Sequence, residues 1–395
     1  MRRISAHYVF TGDGPVLRNG IITVDSQGCI LDVTDTRGQL IPSEKLEHLN
    51  GILTPGFVNA HCHLELSFLK GLVPQHTGLP AFLTDMVARR GPDPVMAERA
   101  AQKAAEEMYR NGTRAVGDIS NTPVTFALKK NASLLFHTFI EVSGIHPDKA
   151  DRQFALALRL EQQALTLGLS AGISPHAAYS VSDALAGKIA GHLSQRNTPL
   201  AIHHQESQEE QDFLRDGSGP MHTAFLAMGT LPTDWAPPRT TPSEWLATRF
   251  GGYSGRMLLV HNTYADEEDR KTISRHFPGS FRVLCPNSNL YIGGCLPDIP
   301  ALILAGERLC LGTDSYGSNT SLSVWDEVCT IAQNFPEIPF TELIRWATWN
   351  GACALGTESE TGSIAPGKKP GLNLISGMDY TRMRPLEGSR VQRIL

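Results

Sequence analysis

The chain has 395 residues, 41% hydrophobic and 19% charged, enough apolar material to bury a large core and too much for wholesale disorder. Thirty-five Lys and Arg against 40 Asp and Glu give a net charge of −5 with no long basic block, which argues against a nucleic-acid partner. No apolar run approaches the roughly 20 residues of a membrane span, Met1-Arg-Arg-Ile-Ser opens without a signal-peptide core, and the seven cysteines are irregularly spaced. A cytoplasmic chain without a disulfide framework is expected.

Residues 1–50 carry short alternating runs (Tyr8–Phe10, Gly20–Val24, Ile30–Val33) punctuated by Gly and Asp, as in hairpins. Eight apolar runs follow: Ile52–His63, Thr113–Ser120, Ser133–Gly144, Leu169–Val181, Pro199–Gln205, Met257–Tyr264, Phe281–Leu284 and Arg308–Asp314. Between them lie stretches of helical composition such as Pro94–Arg110, Lys149–Leu167, Asp183–Gln195, Asp266–His276 and Ser321–Asn334. Eight strands with helical returns predict an α/β chain built as a (β/α)8 TIM-type barrel over residues 53–355. An open doubly wound sheet would usually show a Gly-rich phosphate turn after its first strand, and none is present. The tail around Gly371-Leu-Asn-Leu-Ile-Ser is again strand-like, so residues 1–52 and 356–395 are expected to pair as a small β-sandwich. The Gly- and Pro-rich stretch between Glu206 and Trp245 is long for a βα connection and is expected to cover a site.

In such barrels the chemistry sits where strands end. The first strand ends in His61-Cys62-His63, whose i, i+2 spacing puts both imidazoles on one side. The fifth ends His203-His204-Gln205-Glu206, the sixth at His261 and the eighth at Asp314. Any one of these histidines taken alone reads as a packed core residue. Gathered at one end of a barrel, imidazoles and carboxylates make a donor set for a divalent transition metal, zinc or iron(II). His204 points to the other face of its strand and is assigned to packing.

The motifs carry a resemblance. Ile52-Leu-Thr-Pro-Gly-Phe-Val-Asn-Ala-His61-Cys-His63, Ser174-Pro-His176, Ile202-His203-His-Gln-Glu206-Ser, Val260-His261-Asn, Cys285-Pro-Asn-Ser-Asn289 and Leu311-Gly-Thr-Asp314-Ser-Tyr-Gly-Ser-Asn319 follow one another in order. Together they resemble the amidohydrolase superfamily, in the aminohydrolase branch that includes adenosylhomocysteine/methylthioadenosine deaminases, guanine deaminase and triazine chlorohydrolases. The run His63-Leu-Glu65-Leu-Ser67, with Ser321-Leu-Ser-Val-Trp-Asp-Glu327, is closer to aminodeoxyfutalosine deaminases, although residues 71–88 match none of these patterns.

The resemblance implies one metal, zinc before iron(II), held by His61, His63, His203 and Asp314, with water completing its shell. Binuclear relatives carry a lysine at the end of the fourth strand; Leu169–Ser182 contains none. Glu206 is implied as proton shuttle, Asp314 as proton acceptor and His261 as the group that orients the attacking water. The substrate side is implied to involve Glu65, Ser67, His176, Ser318 and Asn319, with Lys70, Lys149 or Arg152 as candidate partners for a substrate carboxylate. The function implied is hydrolytic deamination of an adenine-type nucleoside. Two alternatives are hydrolysis of another heterocycle (guanine, cytosine or triazine type) and an inactive barrel used as a binding scaffold. A homodimer through outer helices, with neither nucleic acid nor membrane as partner, completes the expectations.

Overall fold

A computed structural model describes residues 1–41, 45–89, 91 and 93–395. Eight parallel strands form its centre: β6 (Phe57–Cys62), β7 (Thr113–Ser120), β8 (Leu135–Val142), β9 (Ser170–Pro175), β10 (Leu200–His204), β11 (Met257–His261), β12 (Phe281–Leu284) and β13 (Arg308–Leu311), preceded by five strands at the amino end. Each falls within one of the eight apolar runs read from the sequence. β6, β10, β11 and β12 are buried at every position, which is why they read as continuous apolar runs rather than alternating ones. The long helices Pro94–Arg110, Ala150–Thr166 and Asp183–Leu193 return the chain between parallel neighbours.

The strands pair as two four-stranded parallel sheets, β6-β7-β8-β9 and β10-β11-β12-β13. They meet at both seams through single parallel bridges, Ala177 with His203 and Cys62 with Asp314. The seam bonds are His203 N–H to the His176 carbonyl (2.9 Å), and Thr313 and Asp314 N–H to the His61 carbonyl (3.0 and 3.1 Å). The bonds between the two sheets and the chemistry-bearing residues therefore coincide.

The chain ends supply β1 (Arg2–Phe10), β2 (Val16–Arg18), β3 (Ile21–Val24), β4 (Ile30–Thr34), β5 (Leu46–Pro55), β14 (Leu372–Asp379) and β15 (Arg384–Arg393). Here the expected sandwich is corrected. The seven strands form one sheet in the order β15-β14-β5-β1-β3-β4, with β2 on β1. The reason lies in β5, which pairs parallel with β1 on one side and antiparallel with β14 on the other, so both chain ends join a single hydrogen-bonded path. Ile4, Val9, Ile22, Leu53, Leu372 and Leu374 bury its apolar face. β5 ends at Pro55 and β6 starts at Phe57, so the first barrel strand leaves the small sheet directly.

The stretch 207–245 is helical in part (Gln208–Asp216, Gly219–Ala227) and has its own aromatic core, with Phe213 stacked on Trp235 at 4.4 Å. It packs against the helix Leu79–Ala88 and against the turn Ala178–Ser180 that follows β9. Among the described residues no helix is long and apolar enough to cross a membrane.

His137 in β8 is 2% exposed, and burial pushes its imidazole down from the ordinary 6.5 to about 4, against a smaller opposing effect of the Pro199 carbonyl. The unfolded chain therefore takes up a proton first as pH falls. The neutral ring contributes its full stability above pH 6.5, and that contribution is lost on the way down to about 4, by about 3 kcal/mol in all. Urea unfolding across this window should show a shallower decline for His137→Gln than for the parent; equal slopes would count against the assignment.

Candidate active site

Three imidazoles and one carboxylate converge where β6, β10 and β13 end. His63 Nε2 lies 3.1 Å from His61 Nε2 and 3.3 Å from His203 Nε2. Asp314 Oδ1 lies 3.5 Å from His61 Nε2 and 3.3 Å from His63 Nε2. All four side chains are buried. One N–H satisfies only one of the contacts around His63 Nε2, whereas a cation at the centre satisfies all four donors together. Tetrahedral zinc with bonds of about 2.0–2.1 Å separates its ligand atoms by about 3.3 Å, which matches these four spacings, and all four donor atoms lie within 4.8 Å of one another. His203 Nδ1 lies 2.9 Å from the His176 carbonyl and donates to it, so the Nε2 lone pair points into the cluster.

The electrostatics suit a cation. Burial holds the His63 imidazole below its usual range against the pull of Asp314, and burial, then the neighbouring His176, His61, His63 and His261, hold His203 far below its own. Burial pushes the Asp314 carboxyl up, but His61, His63 and His261 outweigh it and keep the group well below the ordinary carboxylate range. The other Asp314 oxygen, Oδ2, accepts from Ser288 Oγ (2.7 Å) and Ser318 Oγ (2.5 Å). Two hydroxyls thus anchor one oxygen and leave Oδ1 to the imidazoles.

The backbone here is strained. Gln205 (φ 52°), His261 (φ 76°), Asn262 (φ 56°) and Asp314 (φ 57°) occupy the left-handed region, which costs a non-glycine residue about 1–3 kcal/mol. Seam bonds and side-chain contacts over-determine these turns. Asn262 Nδ2 donates to the Leu259 carbonyl at 2.7 Å, and Asn289 Nδ2 approaches His261 Nδ1 at 3.4 Å.

Beside the four donors, Glu206 Oε1 lies 3.7 Å from His261 Nε2. Burial first, then the negative charge of Asp314 and Glu210, pushes the Glu206 carboxyl well above its ordinary range, while burial takes His261 down to about 3. The Glu206 amide donates to Glu210 Oε2 at 2.8 Å, which locks the turn after β10.

His63, His203, Glu206, His261 and Asp314 floor a cavity of about 660 Å³. One wall holds Glu65, Asn121, Thr122, Glu141 and His176, and the rim is apolar, with Leu66, Phe68, Leu79, Phe82, Leu83 and Met86. The Glu65 carboxylate accepts from the Asn121 amide (2.9 Å), the Thr122 amide (3.1 Å) and Thr122 Oγ1 (2.8 Å), and burial raises it to about 7. His176 Nδ1 meets Ser180 Oγ at 2.7 Å.

Several expected substrate contacts lie elsewhere. Ser67 donates to the Leu64 carbonyl (2.7 Å) and Asn319 to the Thr313 carbonyl (2.9 Å) and Glu327 Oε1 (2.8 Å), while Ser318 is spent on Asp314. None of the three lines the cavity, because each holds its own turn together. Lys70, Lys149 and Arg152 do not line it either; Lys70 lies over the Tyr316 ring, 3.5 Å from Glu107. No residue of 207–245 reaches it, so the expectation of a cover is corrected: that stretch buttresses the helix Leu79–Ala88, whose residues form the rim. Missed from the sequence were Ser288, inside the quoted Cys285–Asn289 motif, and Glu141, an acid in the apolar run Phe139-Ile-Glu-Val and so a legible signal. Asn121 and Thr122 gave no signal.

Replacing both Ser288 and Ser318 by Ala should let the Asp314 carboxyl rise and weaken zinc binding by about 10–100-fold in chelator competition. Unchanged affinity would mean that the two hydroxyls do not orient the carboxylate.

The amidohydrolase family pattern matches residues 52–392. An aminodeoxyfutalosine deaminase of Deinococcus radiodurans is 30% identical over 375 residues, 90% of this chain and 86% of its own. A 5-methylthioadenosine/S-adenosylhomocysteine deaminase of Saccharophagus degradans is 27% identical over 87% of this chain and 75% of its own. Among solved structures, Helicobacter pylori aminofutalosine deaminase in complex with methylthio-coformycin superposes with a TM-score of 0.79 at 24% identity, covering 95% of this chain and 92% of that one. The chain belongs to the amidohydrolase family.

Proposed function

We propose that this amidohydrolase is a divalent-metal-dependent hydrolytic deaminase of an adenine-type nucleoside. The closed (β/α)8 barrel that carries the reaction would span residues 53–355, with residues 1–52 and 356–395 as the small β-domain. The observation that carries the reading is a cluster of four buried donor atoms, three of whose residues line one cavity together with Glu206 and His261. Two relatives named as deaminases of adenine-type nucleosides support the substrate class. His61, His63, His203 and Asp314 would hold the metal, and a set of three imidazole nitrogens and one carboxylate oxygen favours zinc. A bound zinc supplies a water acidic enough to attack near neutral pH.

The protein's own groups do the rest. Asp314 Oδ1 takes a proton from the attacking water, while Oδ2 stays fixed by Ser288 and Ser318. Glu206, whose burial favours the protonated form, gives a proton to the ring nitrogen beside the attacked carbon. Left as a carboxylate, it relays to the departing amine the proton that Asp314 took and is reprotonated by the adduct's hydroxyl as that becomes the carbonyl, so that ammonia rather than an amide anion leaves and both acids return to their starting states. His261, whose imidazole burial takes down to about 3, orients the water beside Glu206. Glu65 and His176 bind the nucleoside along the wall, and the apolar rim shelters the base from bulk water.

Ammonia release should be measured on adenosine, methylthioadenosine, adenosylhomocysteine, aminodeoxyfutalosine, guanine and cytosine. Turnover of at least one of the four adenine nucleosides is expected, and inactivity on all four overturns the reading. Glu206→Gln should cost about 10²–10⁴ in kcat with zinc content unchanged. A variant that keeps its turnover removes Glu206 from the proton path.

A further inference from the structure

The ion pair of Lys129 and Asp118 has both side chains fully buried. Lys129 Nζ lies 2.6 Å from Asp118 Oδ2 and also donates to Ser120 Oγ (2.8 Å) and Thr138 Oγ1 (3.2 Å). Such a pair is a poor source of net stability, because desolvating two charges offsets most of their attraction. Its placement is informative. Asp118 is close to the end of β7, paired in register with Cys62 of β6, and its free oxygen Oδ1 accepts from the Leu64 amide at 2.7 Å. On the other side of the same peptide plane, the His63 carbonyl accepts from the Leu66 amide at 3.1 Å. Because a peptide is planar, fixing both its polar groups fixes ψ of His63, held at 78°, and thereby the direction in which that imidazole projects.

We infer that the buried Lys129–Asp118 pair is a positioning device for the cation centre, aiming His63 through the Leu64 amide. Lys129 fixes Asp118 Oδ2, so that Oδ1 is presented to a single amide donor. Glu65 repeats the stitch in the opposite sense, its carboxylate accepting from the Asn121 and Thr122 amides beyond β7. Residues 63–65 are thus tied to the end of the neighbouring strand at several points, none of which touches the four donor atoms. The inference rests on the reading of those donors as a cation site.

The test compares two double variants of the full chain that both remove the buried charges. Asp118→Asn with Lys129→Met keeps an acceptor for the Leu64 amide; Asp118→Leu with Lys129→Met keeps the volume but removes the acceptor. Zinc affinity is read by chelator competition and site geometry by the visible spectrum of the cobalt(II) form, after circular dichroism of the metal-free proteins. The Asn variant should bind zinc within about threefold of the parent, and the Leu variant at least about tenfold more weakly, with an altered cobalt spectrum. Equal affinities and spectra for the two overturn the inference while leaving the cation site standing. A parent chain that binds no zinc overturns the site reading and this inference with it. If the Leu variant does not fold, Asp118→Val with Lys129→Met gives the same comparison on a β-favouring side chain.

Discussion

The arrangement depends on four donor atoms that have no good partner but a cation. Three imidazole nitrogens and a carboxylate oxygen lie within 4.8 Å of one another, four of their separations being 3.1–3.5 Å, and all four side chains are buried. Without positive charge at the centre, lone pairs face one another at the contacts that no single N–H can cover. Such a cluster is tolerable only because its neighbours hold it. The His176 carbonyl takes the His203 proton, two serine hydroxyls take one oxygen of Asp314, and the strand seams run through the same residues. The bonds that join the two sheets and the site are built from the same residues, since His61, His203 and Asp314 supply both backbone bonds and donor atoms.

Burial sets the protonation states the proposed chemistry requires. The same absence of solvent that takes His261 down to about 3 pushes the Glu206 carboxyl up, and the two groups stand 3.7 Å apart. Asp314 goes the other way because three histidines surround it. Two carboxylates close together thus receive opposite tasks from their surroundings, not from residue type. The left-handed turns at Gln205, His261, Asn262 and Asp314 are the local cost of aiming several strand ends at one point.

Much of this was legible in the chain. The eight apolar runs became the eight parallel strands because parallel strands buried on both faces must be nearly continuous in apolar residues. His61-Cys-His63 announced a shared face by period two alone. Less legible was the small sheet: alternating runs at both ends pointed to pairing, but one sheet or two depended on β5 having partners on both edges. Ser67, Ser318 and Asn319 looked like cavity residues by proximity to the donors, yet hydroxyls and amides near tight turns are consumed by backbone and neighbouring carboxylates. The 207–245 stretch looked like a cover by its length and instead formed a buttress with its own aromatic core.

What the residues determined by themselves was the kind of chemistry: ligand types, their order along the chain and their placement at strand ends follow from local pattern, because strand periodicity decides which face a side chain takes. Tertiary structure alone decided which oxygen of Asp314 faces the imidazoles, that Asp118 and Lys129 meet beside His63, and that the helix Leu79–Ala88 rather than the long insertion walls the cavity. These are contacts between segments up to tens or hundreds of residues apart. Periodicity carries no information about them, since they are set by how separate elements pack.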